Sequence, residues 1–239
     1  MSEVPRCSRG QLPTSRSTTM PLNIPGLLAP AQLLFKPRLV LPAVIVPDIR
    51  SIDFAQLRKA GYRGAVFDKD NCLTIPHRDT LVPELKDAWQ ECRRTFGNGN
   101  VLIVSNSAGT YLDAGEIQAE SVSHHLGVPV LKHTSFKPAY SCINSIRNYF
   151  SSLEKPISDH ELIVVGDRIL TDVVMANRMK RRNGREETGP LAIWTTGVWH
   201  KESTVMRWIE RGLVNIVDRM AQRSNSKPTR SAFSEFIRP

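Results

Sequence analysis

A chain of 239 residues, 41% hydrophobic and 23% charged, is long enough to bury a full core and has the composition of an ordinary globular protein. Its net charge of +9 favours an anionic partner (nucleic acid, acidic membrane or phosphorylated substrate) without choosing among them. The cysteines Cys7, Cys72, Cys92 and Cys142 form no CxxC pair and no zinc-spaced cluster with histidine, which argues against a structural zinc site and for reduced thiols inside a cell.

Residues 1–20 carry Arg6, Arg9 and Arg16 against one acid, Glu3, and are rich in Ser and Thr. That is the composition of a mitochondrial presequence or of a disordered leader. Residues 21–50 form an apolar segment, broken by Pro25, Pro30, Pro37 and Pro42 and therefore unsuited to a membrane-spanning helix. With Lys36 and Arg38 beside Leu33, Leu34, Phe35 and Leu39, it suits a membrane interface; packing on the domain or on another subunit fits as well.

A globular domain over 51–217 then shows a regular alternation. Ala65–Phe67 reads as a strand, and 83–96 as a helix with Leu85, Ala88, Trp89, Cys92 and Phe96 on one face. Further strands are expected at 101–104, 128–131, 162–165 and 191–194, and helices at 111–126, 138–152, from the fourth strand to about 181, and at 203–211. Strands alternating with helices predict an α/β fold, a parallel sheet with helices on both faces. Residues 218–239 read as a basic flexible tail.

In such a fold ligands bind at the carboxyl ends of the strands. Asp68, Ser105, Lys137 and Asp167 all fall at or after such ends. Asp68-Lys69-Asp70 brings two carboxylates together where the first strand turns, and their repulsion calls for a cation or a shared proton. Taken alone, each has a plainer reading: a solvated turn, a cap, a surface lysine.

Together the four elements, Asp68-Lys69-Asp70, Ser105, Lys137-Pro138 and Gly166-Asp167 with Asp172, resemble those of the haloacid dehalogenase (HAD) superfamily phosphatases over roughly residues 60–200. The resemblance implies a Rossmann-like HAD fold. Asp68 would be the nucleophile forming an aspartyl-phosphate and Asp70 the general acid/base. Asp68, Asp167, the Asp70 carbonyl and Asp172 would surround Mg²⁺, with Asp172 binding a metal water or orienting Lys137. Ser105 and Asn106 would hold phosphoryl oxygens, Lys137 would stabilise the transition state, and Arg78 would touch the substrate. The short gaps between the elements leave no room for a large cap domain, so the pocket is expected to be open.

Cys72 stands where many of these phosphatases have Thr. With Ser-Asn-Ser-Ala-Gly at 105–109 and Gly-Asp-Arg at 166–168, it makes the chain similar to the mitochondrial phosphatidylglycerophosphate phosphatases of fungi and plants. That similarity implies an anionic phospholipid substrate in a membrane rather than a nucleic acid. It also implies peripheral attachment to the mitochondrial inner membrane, on the matrix side, and leaves a homo-oligomer open. The basic cluster Arg178, Lys180, Arg181, Arg182 and Arg185 either faces anionic lipid or forms a solvated loop. The competing expectations are a soluble HAD phosphatase acting on a protein or nucleic-acid 3′-phosphate, and a binding module without catalysis, which the intact aspartate pair disfavours.

Overall fold

The computed structural model describes residues 36–183, 186–197, 199, 204–223 and 229–238. Five strands form one parallel sheet: β1 Val44–Val46, β2 Gly64–Phe67, β3 Val101–Ile103, β4 Leu162–Gly166 and β7 Leu191–Thr195, in the order β1-β7-β4-β2-β3. The helices are α1 Phe54–Lys59, α2 Lys86–Phe96, α3 Ile117–Leu126, α4 Tyr140–Ser151, α5 Val174–Met179 and α6 Thr204–Arg223. β5 Arg181–Asn183 and β6 Glu186–Thr188 form a separate antiparallel hairpin.

The strands are apolar throughout because both faces are covered. Ala65, Phe67, Ile163, Val165, Leu191 and Ile193 point to one side, against α1, α2 and α3. Val66, Leu162, Val164, Ala192 and Trp194 point to the other, against α4, α5 and α6. The register, with Val66 beside Leu102 and Val164, brings the carboxyl ends of β2, β3 and β4 together. The strand predicted at 128–131 is reduced to one bridge, Ile103 to Val130, with Pro129 interrupting the run.

The apolar segment resolves into two parts. Residues 21–35 lie outside the described residues, as does the leader. From Pro37 the chain docks on the domain: Val40, Ala43, Val44 and Val46 are buried, β1 pairs with β7, and the Asn177 amide donates to the carbonyls of Leu39 (2.8 Å) and Leu41 (3.0 Å). Residues 37–46 thus pack on the domain, one of the alternatives the sequence left open.

The flexible tail expected from 218 is corrected for the described residues. α6 runs to Arg223, and 229–236 form a 3₁₀ segment whose Phe236 is buried beside Tyr62. Asp53 N donates to the Phe236 carbonyl, and Arg238 pairs with Glu91. Two apolar rings in an otherwise polar tail suffice to fold it back onto the core.

Of the basic cluster, Arg178 is partly buried. It donates to the Pro138 carbonyl (2.5 Å) and lies over the Tyr140 ring. Arg181 and Arg182 belong to the β5–β6 hairpin. The segments between the motif elements hold one α-helix each, α2 and α3, and no cap domain stands between residues 68 and 137. No helix of the described residues is long and apolar enough to cross a membrane.

Candidate active site

Asp68 follows β2 directly, and its N–H donates to the Val165 carbonyl (2.9 Å), which extends the ladder by one residue. Asn71 then adopts a left-handed backbone (φ 59°), tolerable for Asn, and reverses the chain into a flap over 71–82. This turn separates the two aspartates into different surroundings.

Asp68 faces inward. Lys137 Nζ donates to Asp68 Oδ1 (2.7 Å) and to Asp172 Oδ1 (2.7 Å), and Lys137 and Asp172 are almost fully buried. Burial pushes the Asp68 carboxyl up to about 6; the Lys137 charge opposes this, while the charges of Asp172 and Asp70 reinforce it. Burial works to lower the Lys137 pKa, but the carboxylates of Asp172 and Asp68 more than reverse this, and the lysine stays charged.

Asp70 faces the flap. Its Oδ1 accepts from Lys69 Nζ (2.6 Å) and His77 N (3.1 Å), and its Oδ2 accepts from the Ser107 hydroxyl (2.9 Å). Partial burial disfavours its carboxylate, yet Lys69, Ser107 and His77 together hold the carboxyl below the usual range. Lys69 is itself fully buried, with Nζ also donating to the Arg78 carbonyl (3.1 Å). One strand end thus carries a carboxyl raised toward neutrality and another held ionised.

The other predicted residues converge here with altered duties. The Ser105 hydroxyl meets that of Ser107 (2.9 Å). Asn106 accepts from Lys137 N (2.7 Å), so its side chain fixes the lysine's backbone as well as lying beside the site. His133 bridges the carbonyls of Ser105 (2.9 Å) and Ser135 (2.6 Å), tying the loop after β3 to the loop that carries Lys137. Arg78 joins the site through its carbonyl, while its side chain is exposed on the flap. Cys72 is buried in the core, where desolvation pushes its thiol well above the ordinary range and keeps it neutral.

Lys69, Ser107 and His133 are the site residues the sequence reading missed. The alternating Ser105-Asn106-Ser107 held the signal for one: both serines fall on the loop after a buried strand.

Asp167 and Asp172 come from the loop after β4. The Trp194 indole donates to the Asp167 carbonyl (2.9 Å), and the N–H of Arg168 donates to Asp172 Oδ2 (3.2 Å). Gly166 has to be glycine: a Cβ there would lie 2.3 Å from Asp172 Cγ. Ligand atoms of Asp68, Asp167 and Asp172 lie within 4.8 Å of one another. Three mostly buried carboxylates so placed could hold a hard divalent cation. The Asp70 carboxylate is outside that cluster, engaged by Lys69, His77 and Ser107.

Residues 24–183, which include every residue above except Trp194, match the family described as mitochondrial PGP phosphatase. The chain belongs to this family. It is 37% identical over 158 residues to the mitochondrial phosphatidylglycerophosphatase of Saccharomyces cerevisiae, covering 66% of this chain and 83% of that protein. To phosphatidylglycerophosphate phosphatase 1 of Arabidopsis thaliana it is 37% identical over 159 residues, covering 66% and 44%. A Schizosaccharomyces pombe protein named as a probable mitochondrial phosphatidylglycerophosphatase is 30% identical over 198 residues, covering 78% and 89%. The chain spans most of the two yeast proteins and less than half of the plant one. No solved structure matches it.

Proposed function

We propose that this chain is a Mg²⁺-dependent phosphatase that hydrolyses phosphatidylglycerophosphate to phosphatidylglycerol and phosphate, in the mitochondrion, at the matrix side of the inner membrane. The observation that carries the reaction is the division of labour between Asp68 and Asp70. The relatives' names support the substrate and compartment.

Asp68 Oδ1, held by Lys137, is not free to attack, so the other oxygen is the nucleophile toward phosphorus, and a covalent aspartyl-phosphate divides the hydrolysis into two steps. Asp70 must hold a proton for the leaving glycerol oxygen and later take one from water. Lys69 and Ser107 aim it and hold it ionised between turnovers, the form in which it can accept a proton. Lys137 keeps a fixed positive charge beside the reacting oxygens, with no reorganisation needed at the moment of transfer. The Ser105 hydroxyl and the Asn106 amide are the donors toward the phosphoryl oxygens, while the Ser107 hydroxyl stays on Asp70. Asp68, Asp167 and Asp172 would hold Mg²⁺, which when bound neutralises phosphate charge and draws the Asp68 proton equilibrium toward the carboxylate.

The test is phosphate release from phosphatidylglycerophosphate in vesicles, beside a DNA 3′-phosphate and a phosphopeptide. Turnover of the lipid that needs added Mg²⁺ and is abolished in Asp68→Asn supports the proposal. Turnover of either soluble substrate without the lipid refutes its substrate, and an active Asp68→Asn enzyme refutes the nucleophile.

A further inference from the structure

Among the described residues, large apolar side chains are exposed in two main groups. One lies on α6: Trp208, Ile209, Ile216 and Met220. The other lies on the loops and helix starts at the carboxyl edge of the sheet: Ile75, Tyr111, Leu112, Ile117 and Tyr140. Four of the five are close in sequence to an element of the candidate site, and Ile117 opens α3 just beyond the Ser105–Ser107 loop. Ile75 is on the flap that follows Asp70, Tyr111 and Leu112 continue the Ser105–Ser107 loop, and Tyr140 opens α4 just after Lys137.

Leu112 is 59% exposed and Ile117 72%, but the backbone under them is well tied. Asp113 accepts from the N–H groups of Gly109 (2.9 Å), Gln118 (2.9 Å) and Ala119 (2.8 Å). The Tyr111 ring lies 5.2 Å from that of Phe136, Glu116 pairs with Lys132, and the Arg178 guanidinium sits 5.3 Å from the Tyr140 ring. The rim is built, and it holds apolar groups in water.

Its chemistry matches a bilayer interface. Aliphatic side chains beside tyrosines suit the boundary between acyl chains and head groups. Glu116 pairs with Lys132, Asp113 caps three backbone amides, and the flap beside the rim carries both Arg78 and Asp79. The net charge of +9 over the whole chain favours an anionic surface over a neutral one. A diacyl substrate keeps its chains in the membrane, so its phosphate reaches Asp68 only if this edge of the sheet faces the bilayer.

We propose that Leu112 and Ile117, flanked by Tyr111 and Tyr140, insert into the interface of an anionic bilayer and seat the catalytic edge over the lipid head group. The inference rests on the lipid-phosphatase reading for its purpose, and on the exposed rim for its location.

The experiment uses the full chain and vesicles of phosphatidylcholine with or without phosphatidylglycerol. Leu112→Ser/Ile117→Ser is expected to lower the sedimenting fraction on the anionic vesicles about tenfold, since interfacial affinity follows buried apolar area. Turnover of phosphatidylglycerophosphate in vesicles should fall in parallel, with hydrolysis of soluble p-nitrophenyl phosphate unchanged. In Leu112→Trp, the new indole's emission should shift to the blue on adding anionic vesicles, relative to the wild type. Unchanged sedimentation of the double variant, no shift in Leu112→Trp, or loss of binding in Ile216→Ser/Met220→Ser instead would overturn the proposal. If the wild type bound vesicles through the rim yet released no phosphate from the lipid, the substrate assignment would fail and the rim would stand. If it hydrolysed the lipid and the double variant did so equally well, the rim would fail and the substrate would stand.

Discussion

Replacing Lys137 by Met, which keeps the length of the side chain and removes its charge, tests how the site is held together. The lysine is almost fully buried and donates at 2.7 Å to both Asp68 and Asp172, which are themselves mostly buried. The direct attraction at that distance is large, but much of it offsets the cost of burying the ions. What the substitution exposes is the remainder: two carboxylates left close together with no cation between them. Removing one partner of a buried pair costs about 3–5 kcal/mol. For a chain of this size that corresponds to a fall in Tm of about 6–20 °C. The assay is thermal unfolding by circular dichroism without added metal. Lys137→Met/Asp172→Asn should recover part of the loss, because one of the opposed charges is gone, and added Mg²⁺ should raise the Tm of Lys137→Met more than that of the wild type. A single variant that melts within about 2 °C of the wild type would refute the reasoning, since such a shift is below 1 kcal/mol.

Ser107→Ala removes the hydroxyl that donates to Asp70 Oδ2 and should lower kcat about tenfold, the worth of one hydrogen bond to a charged group, with little change in KM; steady-state kinetics on any accepted phosphomonoester checks this. Gly166→Ala forces a methyl group into Asp172 and should cost about 1–3 kcal/mol of stability together with most of the activity, measured by denaturant unfolding and turnover. Burial disfavours the Asp113 carboxylate, but the three amides it accepts outweigh this and hold its pKa below the usual 3.8. A carboxyl depressed in the folded state contributes stability that is present above its unfolded pKa and lost as pH falls through the folded one. Asp113→Asn, with one acceptor oxygen in place of two and no charge, should therefore melt lower than the wild type at pH 6, by about 1–2 kcal/mol, with the gap closing toward pH 3.

Much of the site was legible because its residues sit where a periodic pattern stops. Asp68, Ser105 and Asp167 each end or follow an all-apolar run, and a run covered on both faces is readable without knowing its neighbours. The helices on either side of those strands were placed to within a few residues for α2 and α4, where one face is buried. α3 begins later than its pattern suggests, at Ile117, because Asp113 caps the turn and Gly115 (φ 68°) breaks the helix before it. β1 was missed because a three-residue edge strand has too little length to show a period. The β5–β6 hairpin was hidden by its charge, which reads as a solvated loop.

The sequence by itself determined the α/β class, the order of the candidate site elements and the positions of the two aspartates, because these depend on local composition at strand ends. The tertiary structure decided the surroundings of each aspartate. Lys137 reaches Asp68 across 69 positions of chain, and Ser107 reaches Asp70 across 37, so the contrast between the two carboxyls comes from partners that no local pattern brings together. The same holds for the rim: Leu112 and Ile117 are ordinary apolar residues in the sequence, and only the fold leaves them uncovered beside the site. Burial and charge pairing are properties of packed surfaces, and they are fixed only when distant segments meet.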